Sequence, residues 1–284
     1  MALGSGFSYR DWVALSAVSS DITFSTAVAN TNILPLANCT TPRPKQISRT
    51  TTTTLATHQI VAFTLEMTAT TDGNEFDGKV GMTIGCIGAI NHNMPLDRDA
   101  YVQAILYDDV GGVIHSSSTY SATRQFEDAS IYFLLDDVYT EVFKVVLLIG
   151  VEGVFSELDL GRLWIGNYLE ADFDGNFGLL HGYAAKPKYS IGNDIHLRYK
   201  TPRKEMNFDF SLIDTAVVYG AGIDSWMDFS KWTSTNRDLV VLPNVADDDE
   251  KQYLGTYGIL KRPMKLERLH GSYWSADFDV VELV

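Results

Sequence analysis

From Gln59 onward, apolar and polar residues alternate in short runs: Ile60 to Met67, Val80 to Ile90, Tyr101 to Tyr107, Ile131 to Leu135, Val142 to Ile149 and Leu163 to Leu169. A period of two places successive side chains on opposite faces of a pleated strand, so these runs predict strands rather than helices. Asp72-Gly73-Asn74, Asp108-Asp109-Val110-Gly111-Gly112 and Glu152-Gly153 separate them with residues that tolerate tight turns. Many strands at this spacing without intervening helices predict an all-β fold, an antiparallel β-sandwich of jelly-roll type. Past Asp174 the pattern continues at Asn176 to Tyr183, Tyr189 to Tyr199, Met206 to Asp214 and Leu239 to Leu242. The tail from Tyr253 to Val284 alternates again and predicts a closing strand. One helix is expected, over Ile223 to Trp232, where Ile223, Trp226 and Met227 recur at near-helical spacing.

The clearest strand is Gly161-Arg162-Leu163-Trp164-Ile165-Gly166-Asn167-Tyr168-Leu169-Glu170. It reads as half-buried, with Leu163, Ile165 and Asn167 facing one way and Arg162, Trp164, Gly166 and Tyr168 the other. Before Gln59 the chain is rich in Ser, Thr, Ala and Asn, with Phe7, Tyr9 and Trp12 set among small residues. Two readings stand for this segment: a strand or loop packed on its own domain, or an arm that docks its aromatics on a neighbouring subunit. The β-branched run Thr50 to Thr54 favours extended backbone and fits an edge strand entering the sandwich. The expected division is an arm and lead-in segment over 1–58, a jelly-roll sandwich over 59–174, and a C-terminal β-rich region over 175–284 packed on it. The only charge run is Asp247 to Lys251.

The chain has 284 residues, enough to bury roughly three quarters of its unfolded surface as one domain. Acidic residues number 36 against 22 basic, a formal net charge of -14 that repels phosphate backbones and excludes a general nucleic-acid coat. Two cysteines, Cys39 and Cys86, are too few for a disulfide framework, and both are expected to be reduced. Met1 to Tyr9 lacks the basic start and apolar run of a signal peptide, and the longest apolar stretch, Val145 to Ile149, is too short to span a bilayer. Neither export by a signal peptide nor membrane insertion is expected.

Candidate chemistry is sparse. Asp72 to Gly78 and Asp172 to Asn176 resemble fragments of calcium loops, but neither has the full spacing with a distal bidentate glutamate, and such residues serve hairpin turns equally well. His58, His92, His115, His181, His196 and His270 show no metal-ligand spacing, and His92 fits a polar strand terminus. No serine sits in a Gly-x-Ser-x-Gly elbow, no phosphate-binding Gly-Lys loop occurs, and with so many acids a glycosidase pair cannot be singled out. Trp164 and Trp274 read as core or interface residues, with a sugar-stacking platform as the alternative. No catalytic, cofactor-binding or metal-binding residue is therefore assigned, no cofactor is expected, and the chain is expected not to be an enzyme.

Three segments carry a family resemblance. Ile33-Leu34-Pro35-Leu36-Ala37-Asn38 with Pro44 to Arg49, the pair of strands in Ile87 to Asp108 with its His92-Asn93 turn, and the Gly161 to Gly166 strand follow in the order found in bacteriophage tail proteins. The chain thus resembles distal tail or baseplate proteins of double-stranded DNA phages that carry a galactose-binding-like jelly roll. The resemblance runs from Ile33 to Asp174, with a looser echo to Val284; Thr50 to Thr54 and Asp72 to Gly78 have no counterpart. It implies a multi-copy structural protein of the virion tail, assembled in the host cytoplasm. Its partners would be other tail or baseplate proteins and further copies of itself. The alternative it implies is a carbohydrate-binding adhesin that contacts a host surface glycan; a hydrolase is the third reading.

Overall fold

The computed structural model describes residues 4–27, 34–68, 81–95, 98–117, 120–122, 130–171, 177–182, 188–189, 195–196, 203–220, 225–233, 237–246 and 248–283. Two compact units emerge: Met1–Asp172 with Leu239–Gly255, and Phe173–Asp238 with Thr256–Val284. This differs from the expected division in two places. Residues 1–58 belong inside the first unit, and 239–255 return to it from the C-terminal region.

The first unit contains β1 (Gly6–Ser8), α1 (Trp12–Ser16), β2 (Ile22–Thr26), β3 (Ser48–Thr51), β4 (Thr53–Leu55), β5 (His58–Met67), β6 (Met82–His92) and β7 (Ala100–Tyr107). It continues with β8 (Val113–Ser116), β9 (Tyr120–Ala122), β10 (Ile131–Val142), β11 (Lys144–Glu152), β12 (Glu157–Gly166) and β13 (Leu169–Glu170). One sheet runs β10-β6-β12-β3, and the other runs β2-β5-β11-β7-β8, with β4 on β5 and β9 on β7. Every pairing is antiparallel, as alternation without helices predicted.

In the second of these sheets one face is buried, carrying Val61, Phe63 and Leu65 from β5, Val102, Ala104 and Leu106 from β7, and Val145, Leu147 and Ile149 from β11. Gly150 is required on β11, because a β-carbon there would lie 2.0 Å from the Gln59 carbonyl oxygen. The threonine run crosses between sheets: β3 forms the edge beside β12, and β4 pairs with β5. Arg49 on that edge grips Asp159 opposite it through two 2.6 Å hydrogen bonds.

The central strands differ from the sequence reading. β12 is buried on both faces, with Arg162, Leu163, Trp164 and Ile165 all inaccessible, so it is not half-buried. The cover is the N-terminal segment: α1 and a 3₁₀ turn at Leu36–Thr40 pack on β12. Phe7, Tyr9 and Trp12 are consequently core residues. This favours the packed reading of that segment over the docking arm, for the aromatics have no surface left to offer.

After β18 (Asp238–Leu242), which pairs with β1, the charge run Asp247 to Lys251 leads into α4 (Asp248–Leu254), a helix that the sequence pattern had not indicated. Gln252 from this helix donates to the Tyr132 carbonyl at 2.7 Å and accepts from the Tyr132 N–H at 2.6 Å. The amide thus copies a strand partner on the edge of β10 that no strand occupies among the described residues, which blunts that edge against foreign pairing.

The second unit is built on β14 (Phe177–Gly182), β17 (Arg203–Asp214) and β21 (Tyr273–Glu282), with β19 (Thr256–Leu260) and β20 (Lys265–His270) end to end on the far edge of β21. A short pair, β15 (Lys188–Tyr189) with β16 (Ile195–His196), is what lies within the described residues of the expected Tyr189 to Tyr199 strand. Among the described residues two helices occur here, α2 (Thr215–Tyr219) and α3 (Trp226–Trp232). The second realises the expected helix from Trp226 on; Ile223 lies outside the described residues. Ser225 caps it by accepting from the Asp228 N–H at 3.1 Å, and Lys231 lies in its last turn, where a cation suits the helix dipole. Its apolar face completes an aromatic core: Phe208 and Phe278 stack at 5.2 Å, Phe229 meets Phe278 at 5.6 Å, and Trp226 meets Phe210 at 5.0 Å.

Candidate functional site

The densest polar constellation lies inside the first unit. Asp11 caps α1 by accepting from the Val13 N–H at 2.9 Å and also accepts from the Ile165 N–H at 3.3 Å. Its other oxygen stands 2.5 Å from Arg162, both side chains being almost wholly buried. Arg162 also donates to the Cys39 carbonyl at 3.4 Å. Trp164 donates through its indole N–H to Ser8 at 2.7 Å, and Ser8 donates to the Asn167 carbonyl. The Asn167 side-chain oxygen accepts from the backbone N–H groups of Tyr9 and Arg10 at 3.2 and 2.8 Å. Apart from the Asp11 cap on α1, each bond joins the N-terminal segment or its flanks to β12 or to Asn167 just beyond it. The cluster is sealed from solvent, and its chemistry is that of a structural tie: the buried Asp11–Arg162 pair sits among hydrogen bonds that hold the N-terminal segment in place.

Other sequence candidates fall into place around it. His92 ends β6, is buried, and accepts from the Met94 N–H at 3.3 Å, as a strand terminus should. Asn93 beside it accepts from the Asp159 N–H at 2.7 Å and donates to the Glu157 carbonyl at 3.1 Å, which fixes that turn on β12. Cys39 and Cys86 are free and buried, and desolvation pushes both thiols up to about 12. Trp164 is core. The acidic turns Asp72 to Gly78 and Asp172 to Asn176 lie outside the described residues. Among the described residues no group of three or more His, Cys, Asp or Glu side chains is arranged to hold a metal ion, and no helix is long and apolar enough to cross a membrane.

One surface feature among the described residues is an apolar corner on the second unit. β17 carries an irregularity between Phe210 and Ile213, where Leu212 adopts φ 62°. Counting by twos from Phe208 and Phe210, Leu212 should point into the aromatic core. The bulge turns it outward instead, leaving it 65% exposed, while Ile213 takes the position opposite Trp274. A leucine in left-handed backbone is strained, and such strain concentrates at functional surfaces.

The same register brings the β20–β21 hairpin alongside. Tyr273 pairs with Asp214, and His270 pairs with Tyr273 across the turn at Gly271. Thr215 donates from both its N–H and hydroxyl to the Ser272 carbonyl at 2.7 and 2.6 Å, and the Trp274 indole donates to the Thr215 hydroxyl at 3.1 Å. Tyr219 stands edge-on to the half-buried Trp274 at 5.5 Å. Leu212, Val217, Tyr219, Leu269 and Tyr273 are therefore exposed apolar side chains held at one end of one unit by a tight hydrogen-bonded frame. Clustered exposure of this kind, unlike single exposed apolar residues, marks interaction surfaces. The sequence reading missed it; the adjacent apolar pair Leu212-Ile213, which breaks the alternation of β17, is the signal that could have found it.

No protein-family model matches the chain, and no curated protein matches it. Solved structures with partial likeness include the family 32 carbohydrate-binding module of C. perfringens NanJ in complex with galactose, with a TM-score of 0.36 and 8% identity, covering 56% of this chain and 98% of that one. A Streptococcus pneumoniae fucose-binding module has a TM-score of 0.34 at 9% identity over 56% of this chain and 96% of that one. The enzymatically active domain of bacteriophage CBA120 tailspike protein 4 has a TM-score of 0.28 at 13% identity, covering 52% of this chain and 19% of that one.

Proposed function

We propose that this protein is a multi-copy structural component of a bacteriophage virion, placed in the distal tail or baseplate, and that it acts by assembly and not by turnover. The observation that carries this reading is the exposed apolar corner built on Leu212, Val217, Tyr219, Leu269 and Tyr273. Desolvating such a surface against a neighbouring subunit is favourable at roughly 25 cal/mol per Å², and its hydrogen-bonded frame presents it without further ordering. The order of the Leu34 to Arg49, Ile87 to Asp108 and Gly161 to Gly166 segments supports the same reading. In the fold these segments lie together: Asn91 donates to the Pro44 carbonyl, and β6 pairs with β12. The partners on this reading are other tail proteins and further copies, met in the host cytoplasm during assembly. A net charge of -14 weighs against DNA as one of them.

A second reading, a carbohydrate-binding adhesin, is favoured by one observation: Tyr219 exposes ring surface beside Trp274 and Tyr273 exposes its own ring, and sugars stack on such rings. A double substitution, Leu212→Asp with Tyr273→Asp, separates the two. On the assembly reading the variant keeps the wild-type melting temperature but is not incorporated into particles in a complementation assay, and the wild type shows no saturable binding to host surface polysaccharide. Normal incorporation of the variant together with loss of polysaccharide binding by it would establish the adhesin and overturn the assembly reading.

A further inference from the structure

We propose that the outer face of the β2-β5-β11-β7-β8 sheet is a self-association surface, on which a second copy of this chain stacks the same face with its strands running the opposite way. The signal begins in the sequence. β11 contains the longest apolar run of the chain, Val145 to Ile149, and β7 reads Ala-Tyr-Val-Gln-Ala-Ile-Leu-Tyr, so neither alternates as a strand with one wet face does. A run of this kind is the mark of a strand covered on both sides. The inner face has its cover in the core, where Val145, Leu147 and Ile149 are inaccessible. On the outer face Val146, Leu148, Ile105 and Tyr107 stay partly open to solvent. The other sheet of the unit shows the contrast, for the N-terminal segment packs on its outer side and nine of the first ten residues of β6 are buried.

The register lays this face out in rows. Glu66, Lys144 and Tyr107 form one end, followed by Thr64, Val146 and Ile105, then Ala62, Leu148 and Gln103, then Ile60, Gly150 and Tyr101, with His58 beside Glu152 at the other end. On β5, β11 and β7 the charge-bearing side chains of the face are thus confined to its two ends, and the middle is apolar or neutral. An apolar centre within a polar rim is the anatomy of a protein interface.

Charge selects the occupant and its direction. A net charge of -14 opposes contact between copies, so they can meet only where acids are few or faced by bases. This face meets that condition with itself. A two-fold axis across the strands at Leu148 brings Leu148 onto the partner's Leu148, Val146 over the partner's Gly150, where no side chain stands, and Lys144 over the partner's Glu152. The same operation sets Glu66 over the partner's His58. An axis along the strands would instead oppose Lys144 to Lys144 and Glu152 to Glu152. Lys144 is free to serve both copies, since its contact with Glu66 is long, at 3.8 Å, and both side chains are well exposed.

The area is sufficient. Nine residues of β11 at about 3.4 Å each, across five strands at about 4.8 Å spacing, give roughly 700 Å² per copy, close to the roughly 800 Å² that each partner brings to a standard interface. Sheets stacked in this way align within about 30° and interdigitate their side chains. The surface lies on the first unit and stands apart from the apolar corner of the second, so it does not depend on the tail reading.

Sedimentation equilibrium of the full chain tests this, with circular dichroism as the check on folding. The wild type should form a dimer at micromolar concentration. Leu148→Lys, which would set two ammonium groups face to face, should raise the dissociation constant by at least about tenfold. Lys144→Glu and Glu152→Lys should each weaken the dimer several-fold, and the two together should restore it, because the swap regenerates the same cross-copy pairs. Leu212→Asp with Tyr273→Asp should leave the dimer unchanged. A wild type that stays monomeric up to about 100 μM would overturn the proposal, as would a dimer indifferent to Leu148→Lys or one lost only in the corner variant. Should Leu148→Lys fold poorly, the charge swap decides: a double variant no tighter than the single ones would overturn the opposed stacking.

Discussion

Trp164 shows how much one buried side chain carries here. It is inaccessible, its indole N–H is bonded to Ser8, and the N-terminal segment lies against it. Trp164→Ala should cost about 3 to 5 kcal/mol, read as a fall in the denaturation midpoint; a change within error would place the ring outside the core. The Arg162–Asp11 pair predicts an asymmetry. Arg162→Met alone leaves Asp11 buried without its counter-charge and should cost about 3 to 5 kcal/mol, whereas pairing it with Asp11→Leu should recover part of that loss. Additive costs in this double-mutant cycle would mean that the pair is not coupled. Cys39 and Cys86, with thiols pushed up to about 12 by burial, should resist alkylation at pH near 8 and react only on unfolding; prompt labelling of the folded protein would contradict their burial. Asp136 adds a pH dependence whose sign follows from its lowered value. Its contribution is complete above the ordinary carboxylate range near about 4 and is lost as pH falls through the lower, folded-state value. The difference in melting temperature between wild type and Asp136→Asn should therefore shrink on acidification, and a constant difference would argue against it.

Among the elements, strands with strict alternation and turn residues at their ends were legible from sequence: β5, β6, β7, β11, β14, β17 and β18 lie close to where the pattern put them. The failures share a physical cause, namely that tertiary cover overrides a local pattern. β12 was read as half-buried because its two faces differ in polarity. Yet Arg162 is buried by pairing with Asp11, a residue some 150 positions earlier that no local window connects to it. The N-terminal segment left two readings open because its strand and helix are short and mix polar with apolar residues. Its order comes from β12, β18 and Asn167 rather than from its own periodicity. The helix at Asp248–Leu254 was hidden in a charge run, since most of its signal is polar and its anchor is the Gln252 amide. The apolar corner was missed for a different reason: a single bulge, marked in the sequence only by the adjacent pair Leu212-Ile213, reverses the face on which Leu212 falls. The packing of the N-terminal segment predicts the outcome of a truncation. Deleting the first 16 residues removes Phe7, Trp12 and the Asp11 carboxylate from a core that includes β12, and circular dichroism should report global unfolding; a folded truncation would restore the detachable arm.

At the scale of the whole molecule, each unit closes its own core, and the exposed apolar side chains of the second gather at one corner. The first unit's buried polar network ties the N-terminal segment to β12 and is sealed from solvent. An all-β antiparallel chain of this size, with a strained leucine turned outward beside exposed tyrosines, fits a subunit whose work is to be held by others. Cryo-electron microscopy of phage particles that carry a tagged copy of this chain tests that account most directly. It predicts several symmetry-related copies at the distal tail or baseplate, with Leu212, Tyr219 and Tyr273 packed against a neighbouring subunit. Particles that lack the tagged chain, or that hold it with this corner open to solvent, would contradict it.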